Sequence, residues 1–284
     1  MKQSKATILI VITLVLVATN AIGSERHFSK RLPASTGGVL RLTSDLGSVT
    51  VRGTTSHDIA IEVTLNGTAK LVEDFDIQTG TNGSDTVIVG RYAAKDALLL
   101  HPGILDVEYI ISMPAQYNLI IKTSGGSLSL SGMQGSTAAS TTGGNVSIED
   151  MVGPQEVKTS GGWISAKNII GDLFGTTTGG KITAEAIIGA VTLATTGGSV
   201  NVGVTGEFKG LSARTSGGDI VITIPKSASA TVDASTSGGG ISCELPIMTT
   251  VRSKDKTMQG TINGGGLTLF ARTTGGSISI RASE

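Results

Sequence analysis

Cysteine and aromatic residues are scarce in this chain of 284 residues: one Cys, one Trp, three Tyr and five Phe. The lone Cys243 has no partner for an intrachain disulfide, so no disulfide framework holds the fold. Charge is sparse and balanced, with 22 basic and 22 acidic residues, which leaves no basic surplus to hold nucleic acid. The three histidines, His27, His57 and His101, are far apart, and none stands at zinc-ligand spacing from Cys or another His. No apolar run reaches the ~20 residues of a comfortable membrane-spanning helix.

Glycine is abundant instead, at 40 residues. Thr-Ser-Gly-Gly or Thr-Thr-Gly-Gly recurs at 123–126, 141–144, 159–162, 177–180 and 195–198, a constant step of 18 residues. The doublets are Gly125/Gly126, Gly143/Gly144, Gly161/Gly162, Gly179/Gly180 and Gly197/Gly198. A single glycine keeps the same step at Gly135, Gly153, Gly171 and Gly189. A short fixed period is the mark of a solenoid. After each doublet apolar residues alternate with polar ones: Leu128/Leu130, Val146/Ile148, Ile164/Ala166, Ile182/Ala184 and Val200/Val202. Met133, Met151, Ile169 and Ile187 follow, then the single glycine and a second alternating stretch such as Leu173/Gly175/Thr177. Period-two alternation predicts half-buried strands. One repeat therefore reads strand, corner, strand, corner, with glycine supplying the positive φ that tight corners demand. A single coil cannot bury its apolar side, whereas stacked coils can. The expected fold is all-β, a β-solenoid with two short strands per coil. Val, Ile, Leu and Ala suit so thin an interior, which accounts for the missing aromatics.

The outward columns are polar. One holds Ser127, Asn145, Trp163, Lys181 and Ser199; another aligns Glu149, Lys167 and Glu185 as a charge ladder. Exposed ion pairs of this kind contribute roughly 0–1 kcal/mol each.

A basic start, an apolar stretch over 6–18 and Ala21-Ile22-Gly23 have the form of a secretory signal peptide spanning 1–23, with an uncleaved anchor as the other reading. Residues 24–120 form an N-terminal β-rich capping region, with alternating stretches at 39–42, 48–51, 59–65, 86–89 and 107–113; residues 93–104 read as a loop or lid. Solenoid repeats occupy 121–284, with doublets at 217–218 and 238–239, an insertion at 246–262, and Asn263-Gly264-Gly265-Gly266 and Thr273-Thr274-Gly275-Gly276 resuming the pattern. Cys243 falls at an inward strand position and is expected to be a free buried thiol.

Motifs for chemistry are incomplete. Gly175–Lys181 fits G-x-x-x-x-G-K, but Ile182 stands where a phosphate loop needs Ser or Thr, and a strand follows in place of a helix. No nucleophile elbow comes with a convincing His and acid. The carboxylates best placed for acid/base or metal work, Glu149, Asp150, Asp172 and Glu185, are interrupted by Lys167. An ice-binding array is disfavoured because the threonines sit beside glycine at corners, where they cap turns. No catalytic residue, metal site or cofactor is expected.

The repeated Thr-Ser/Thr-Gly-Gly, the Met113-Pro114 before the first clean repeat, and Ile262-Asn263-Gly264-Gly265-Gly266 together resemble a bacterial β-strand-repeat family of unknown function catalogued as putative adhesins, over residues 35–282. The resemblance implies an exported β-solenoid and carries over no binding residue. The expected role is an adhesin-like binding or scaffold protein in the periplasm or at the cell surface. Its partner would be an envelope polysaccharide or a protein, with no membrane span once the signal is removed. A polysaccharide-active enzyme and a self-assembling structural protein are the rival classes. Trp163, alone in a polar column, and Phe174, where other coils carry Ala138, Glu156 and Thr192, are the candidate contacts. Burial under the N-terminal region or the 246–262 insertion is their alternative explanation.

Overall fold

Each alternating stretch is a strand in the computed structural model, which describes residues 16–20, 23–34, 37–93, 104–253 and 256–283. Most of the expected signal peptide, residues 94–103 of the expected lid (His101 among them), and Lys254 and Asp255 of the insertion lie outside the described residues. The chain divides into two units, Met1–Thr141 and Thr142–Glu284.

The first unit contains β1 (Leu16–Asn20), β2 (Gly23–Pro33), β3 (Val39–Ser44), β4 (Ser48–Thr54), β5 (Asp58–Gly67), α1 (Ala69–Asp74), β6 (Phe75–Asn82), β7 (Asp85–Tyr92), β8 (Leu105–Pro114), β9 (Asn118–Thr123), β10 (Leu128–Ser131) and β11 (Thr137–Thr141). One sheet runs β1-β2-β5-β8-β4-β10 and the other β6-β7-β3-β9-β11. The inner strands pair in parallel: β8 with β4 and β4 with β10, and β7 with β3, β3 with β9 and β9 with β11. The outer ones, β1, β2, β5 and β6, pair antiparallel. The coil β3/β4 lies between β7/β8 and β9/β10, out of chain order. Gly90 leaves room for the buried Tyr109 ring, whose hydroxyl is 2.8 Å from Ser44 Oγ. Burial pushes that phenol up to about 12. β1 lies inside the segment assigned to the signal peptide, paired to the first residues of β2.

The second unit contains β12 (Val146–Val152), β13 (Gln155–Lys158), β14 (Ile164–Ile170), β15 (Leu173–Thr176), β16 (Ile182–Ile188), β17 (Val191–Ala194), β18 (Val200–Val204), β19 (Leu211–Arg214), β20 (Ile220–Pro225), β21 (Ala230–Thr236), β22 (Ile241–Cys243), β23 (Ile247–Ser253), β24 (Thr257–Ile262), β25 (Leu267–Thr273) and β26 (Ile278–Ser283). Its front sheet runs β12-β14-β16-β18-β20-β26-β22, and its back sheet β13-β15-β17-β19-β25-β21-β24-β23. Residues 18 apart stack in register, as in Val146↔Ile164↔Ile182 and Gln155↔Leu173↔Val191. The predicted inward columns are buried in every repeat. The fold is the all-β solenoid that the period implies.

The physical reason for the doublet glycines differs from the expectation. Among the pairs 161/162, 179/180 and 197/198 none has a positive φ. The second glycine of each pair is required by close stacking. A Cβ on Gly162, Gly180 or Gly198 would lie well inside 3.0 Å of the carbonyl oxygen of the equivalent glycine one coil earlier.

Gly126 departs from these three. Its φ is +102°, so at this corner the expected positive φ is present. Its stacking partner, however, is not a glycine one repeat earlier. A Cβ on Gly126 would meet the carbonyl carbon and oxygen of Gly47 at 2.3 Å, and the Gly47 amide donates to the Gly125 carbonyl at 2.9 Å. The reason is that β10 pairs with β4, so the first doublet stacks on the corner between β3 and β4. Gly126 is therefore held by conformation and by close approach together. Positive φ also governs a later turn, at Asn263 (49°), Gly264 (84°) and Gly265 (88°).

The first threonine of each phrase is buried and staples neighbouring coils. Thr159, Thr177, Thr195 and Thr215 donate from Oγ1 to the carbonyls of Gly144, Gly162, Gly180 and Gly198 at 2.7–2.8 Å. Thr177 Oγ1 also accepts from the Gly180 amide at 3.4 Å. Thr177→Val keeps the shape and orphans both groups, so we expect a loss of about 1–3 kcal/mol in urea unfolding. Thr178→Val, at an exposed position, should stay within about 0.5 kcal/mol.

Two further expectations, the charge ladder and the buried thiol, are corrected, and the insertion takes a definite form. Lys167 pairs with Glu149 at 3.3 Å, but no ion pair joins it to Glu185 among the described residues, so the ladder has two members. The 246–262 insertion is an antiparallel hairpin, β23/β24, that pairs with β21 and covers its edge. Cys243 is free but only half-buried, because β22 is the last strand of its sheet among the described residues. Burial still pushes its thiol up, away from thiolate reactivity.

The coils of the second unit also depart from chain order. The final coil, β25/β26, lies between β19/β20 and β21/β22, so that Gly275 stacks on Gly217 and Gly238 stacks on Gly275.

Candidate functional site

Outward positions in the regular repeats of the second unit are mostly polar, and the large apolar side chains exposed there are Val152, Trp163, Ile170, Phe174 and Ile188; Met248, Val251 and Leu267 are exposed beyond those repeats. Trp163 precedes β14 on the front sheet and is 38% exposed, with its backbone amide donating to Asn145 Oδ1 at 3.0 Å. Phe174 lies on β15 of the back sheet and is also 38% exposed. The Lys158 ammonium stands 5.3 Å from the Phe174 ring centre and is paired with Glu156. Trp163 and Phe174 thus project from different sheets, and the fold does not gather them into one patch.

Sequence reasoning missed a stripe on the front sheet. Val152, Ile170 and Ile188 are in register on β12, β14 and β16 and are 41%, 53% and 39% exposed. Each follows a buried residue, Met151, Ile169 or Ile187. Two consecutive apolar residues at a constant step were the available signal. Strict alternation hid it, because Asp150, Asn168 and Ala186 adopt a left-handed conformation, φ 54–55°, and shift the facing by one. Asn168 Nδ2 donates to Asp150 Oδ1 at 2.9 Å along this kink.

Three of the four acidic candidates are held by neighbours, and Glu185 stands in register with Lys167 without an ion pair to it among the described residues. Asp150 accepts from Asn168, Asp172 Oδ1 accepts from the Ala190 amide at 3.0 Å, and Glu149 pairs with Lys167. No group of three His, Cys, Asp or Glu that could hold a metal is present among the described residues. His27 pairs with Glu25 at 2.9 Å, and His57 lines an open cleft of about 320 Å³ with Thr54, Ser56, Pro114, Gln116 and Gln134. No helix among the described residues is long and apolar enough to cross a membrane.

The sequence pattern of one family, Toastrack DUF4097, matches residues 39–281, nearly all of the stacked strands. The chain belongs to the Toastrack DUF4097 family. No curated protein is significantly similar to it. Among solved structures, this Toastrack chain is similar to a putative adhesin from Bacteroides fragilis at 11% identity, over 89% of this chain and 96% of that one, with a TM-score of 0.43. It is similar to a putative lipid binding protein from Parabacteroides distasonis at 15% identity, over 91% and 97%, with a TM-score of 0.38. A putative cell adhesion protein from Clostridium sporogenes matches at 10% identity, over 91% and 100%, with a TM-score of 0.27.

Proposed function

We propose that this Toastrack protein is exported and acts without a catalytic step, as an adhesin-like binding or scaffold protein of the bacterial envelope. The observation that carries the reading is the exposed Trp163. A large ring held out of a polar column by a stacked, hydrogen-bonded sheet is already in place for contact and loses little freedom on binding. The Val152–Ile170–Ile188 stripe is a second apolar feature of the same sheet, at the opposite end of β14 from Trp163, with Ser165, Lys167 and Asn168 between them. Envelope polysaccharide is the preferred partner, because indole faces stack on sugar rings.

Trp163 is the only Trp, so its fluorescence reports this position alone. The free protein should emit toward the red and be readily quenched. Titration with solubilised cell-wall polysaccharide should move the emission to the blue, and Trp163→Ser should weaken binding about tenfold or more with unfolding unchanged. A blue, quencher-resistant signal in the free protein, or unaltered binding by Trp163→Ser, removes Trp163 as the contact.

Export is tested separately. Intact-mass measurement of protein recovered from the native host should find a chain beginning near Ser24, which also lacks β1 and leaves the edge of β2 unpaired. A full-length cytoplasmic species that retains Met1 overturns the location.

A further inference from the structure

On the back sheet of the second unit, Arg214 at the end of β19 and Arg272 near the end of β25 are register partners on adjacent parallel strands. Both are exposed. Like charges placed opposite each other across strands are destabilising. Among the described residues, neither guanidinium has a carboxylate within 4.0 Å. Both gather on one ring: Arg214 Cζ lies 4.5 Å and Arg272 Cζ 5.0 Å from the centre of Phe270. Arg272 Nε donates to Ser235 Oγ at 2.9 Å, which anchors that fork, and its terminal nitrogens have no protein acceptor among the described residues. Asp233 is the register neighbour of Phe270, but its carboxylate accepts from Gln259 at 3.3 Å.

The same face supplies an internal comparison. At Phe174 a single cation covers the ring, and Glu156 neutralises it. At Phe270 there are two cations and no acid partner. The second cation gains its own ring contact and the Ser235 hydrogen bond, but it adds repulsion between two like charges that no carboxylate neutralises among the described residues. A negatively charged group bridging the two forks would remove that repulsion and accept several N–H donors at once.

We propose that Arg214, Arg272 and Phe270 form an oxyanion-binding site, taking the carboxylate or phosphate substituent of an anionic envelope glycan. The ring holds the two guanidiniums side by side, and Ser235 fixes one of them. Binding draws on charge-assisted hydrogen bonds at an exposed surface, so it weakens as salt rises. This deepens the envelope-binding reading, yet it uses residues of the back sheet, whereas Trp163 belongs to the front sheet.

The test titrates the full chain with inorganic phosphate, trigalacturonate and neutral maltotriose by calorimetry at low and high salt. At least one of the two anions should bind, more weakly in high salt. Arg214→Gln/Arg272→Gln should lower that affinity tenfold or more. Lys209→Gln/Lys226→Gln, an equal change of charge at exposed sites elsewhere in the unit, should stay within about twofold. Thermal unfolding of the arginine variant should stay close to that of the parent, since removal of the like-charge pair offsets the lost ring contacts and Ser235 hydrogen bond. Trigalacturonate binding without phosphate binding assigns the site to carboxylates, and the reverse assigns it to phosphates. The proposal is overturned if neither anion binds the parent, or if the lysine control loses as much as the arginine variant. Phosphate binding at the arginines in a protein that ignores every wall polysaccharide would sink the envelope-glycan reading and leave the site standing. Neutral-glycan binding that survives loss of both arginines, with no anion binding in the parent, would do the opposite.

Discussion

Ile164→Asp should cost several kcal/mol in chemical unfolding, a large share of the 5–15 kcal/mol that typically holds a domain together. Ile164 is 1% exposed and stacks between Val146 and Ile182 in one inward column. A carboxylate there has no partner in reach and must either be buried as a charge or take up a proton, and both routes are unfavourable. Ser165 is the next residue on the same strand but faces outward between Ser147 and Thr183. Ser165→Asp should change stability by no more than about 0.5 kcal/mol. Equal costs for the two substitutions would mean that the facing of β14 is wrong.

Gly162→Ala should be nearly as damaging, although it adds a single methyl group. Its Cβ would press on the Gly144 carbonyl oxygen, a backbone atom that already accepts from Thr159 Oγ1. Backbone cannot swing aside as a side chain can, so two coils must separate locally and their ladder hydrogen bonds must stretch. Overpacking of this kind costs about 1–3 kcal/mol and sometimes more. Gly161→Ala is the matched control. Its Cβ would meet the nearest atom, Gly143 O, at 3.3 Å, which a small shift relieves. Parallel denaturant titrations should give a markedly larger loss at 162 than at 161. Similar losses at both would point to backbone flexibility, and not stacking distance, as the reason for the doublet.

Much of the candidate surface was legible in the sequence. Trp163 and Phe174 stand out because the equivalent places in other coils are mostly polar, and both are exposed on their strands. The aliphatic stripe was readable in principle but was masked by the left-handed residue at Asp150, Asn168 and Ala186, since an L-residue in that conformation is not foreseen from composition. The arginine pair was not readable. Arg214 and Arg272 belong to coils that are not consecutive in the chain, and nothing in the spacing places them opposite each other.

The sequence by itself determined the coil. An 18-residue step with period-two alternation specifies which side chains face inward, and the buried columns from Leu128 to Val202 follow from that pattern alone. Only the tertiary structure decided the order in which the outer coils stack. Every coil presents much the same edge of backbone donors and acceptors, so pairing alone does not choose between neighbours. Within the regular repeats the coils are joined by short single-glycine corners, at Gly153, Gly171 and Gly189, and each coil stacks on the one just made. The first doublet shows the limit of that rule, since Gly126 packs on Gly47 of a coil formed much earlier in the chain. The β23/β24 hairpin, between β22 and β25, supplies enough chain to carry the last strands back into the gap between β19/β20 and β21/β22. Their placement there depends on contacts between residues distant in the chain, which no local pattern records.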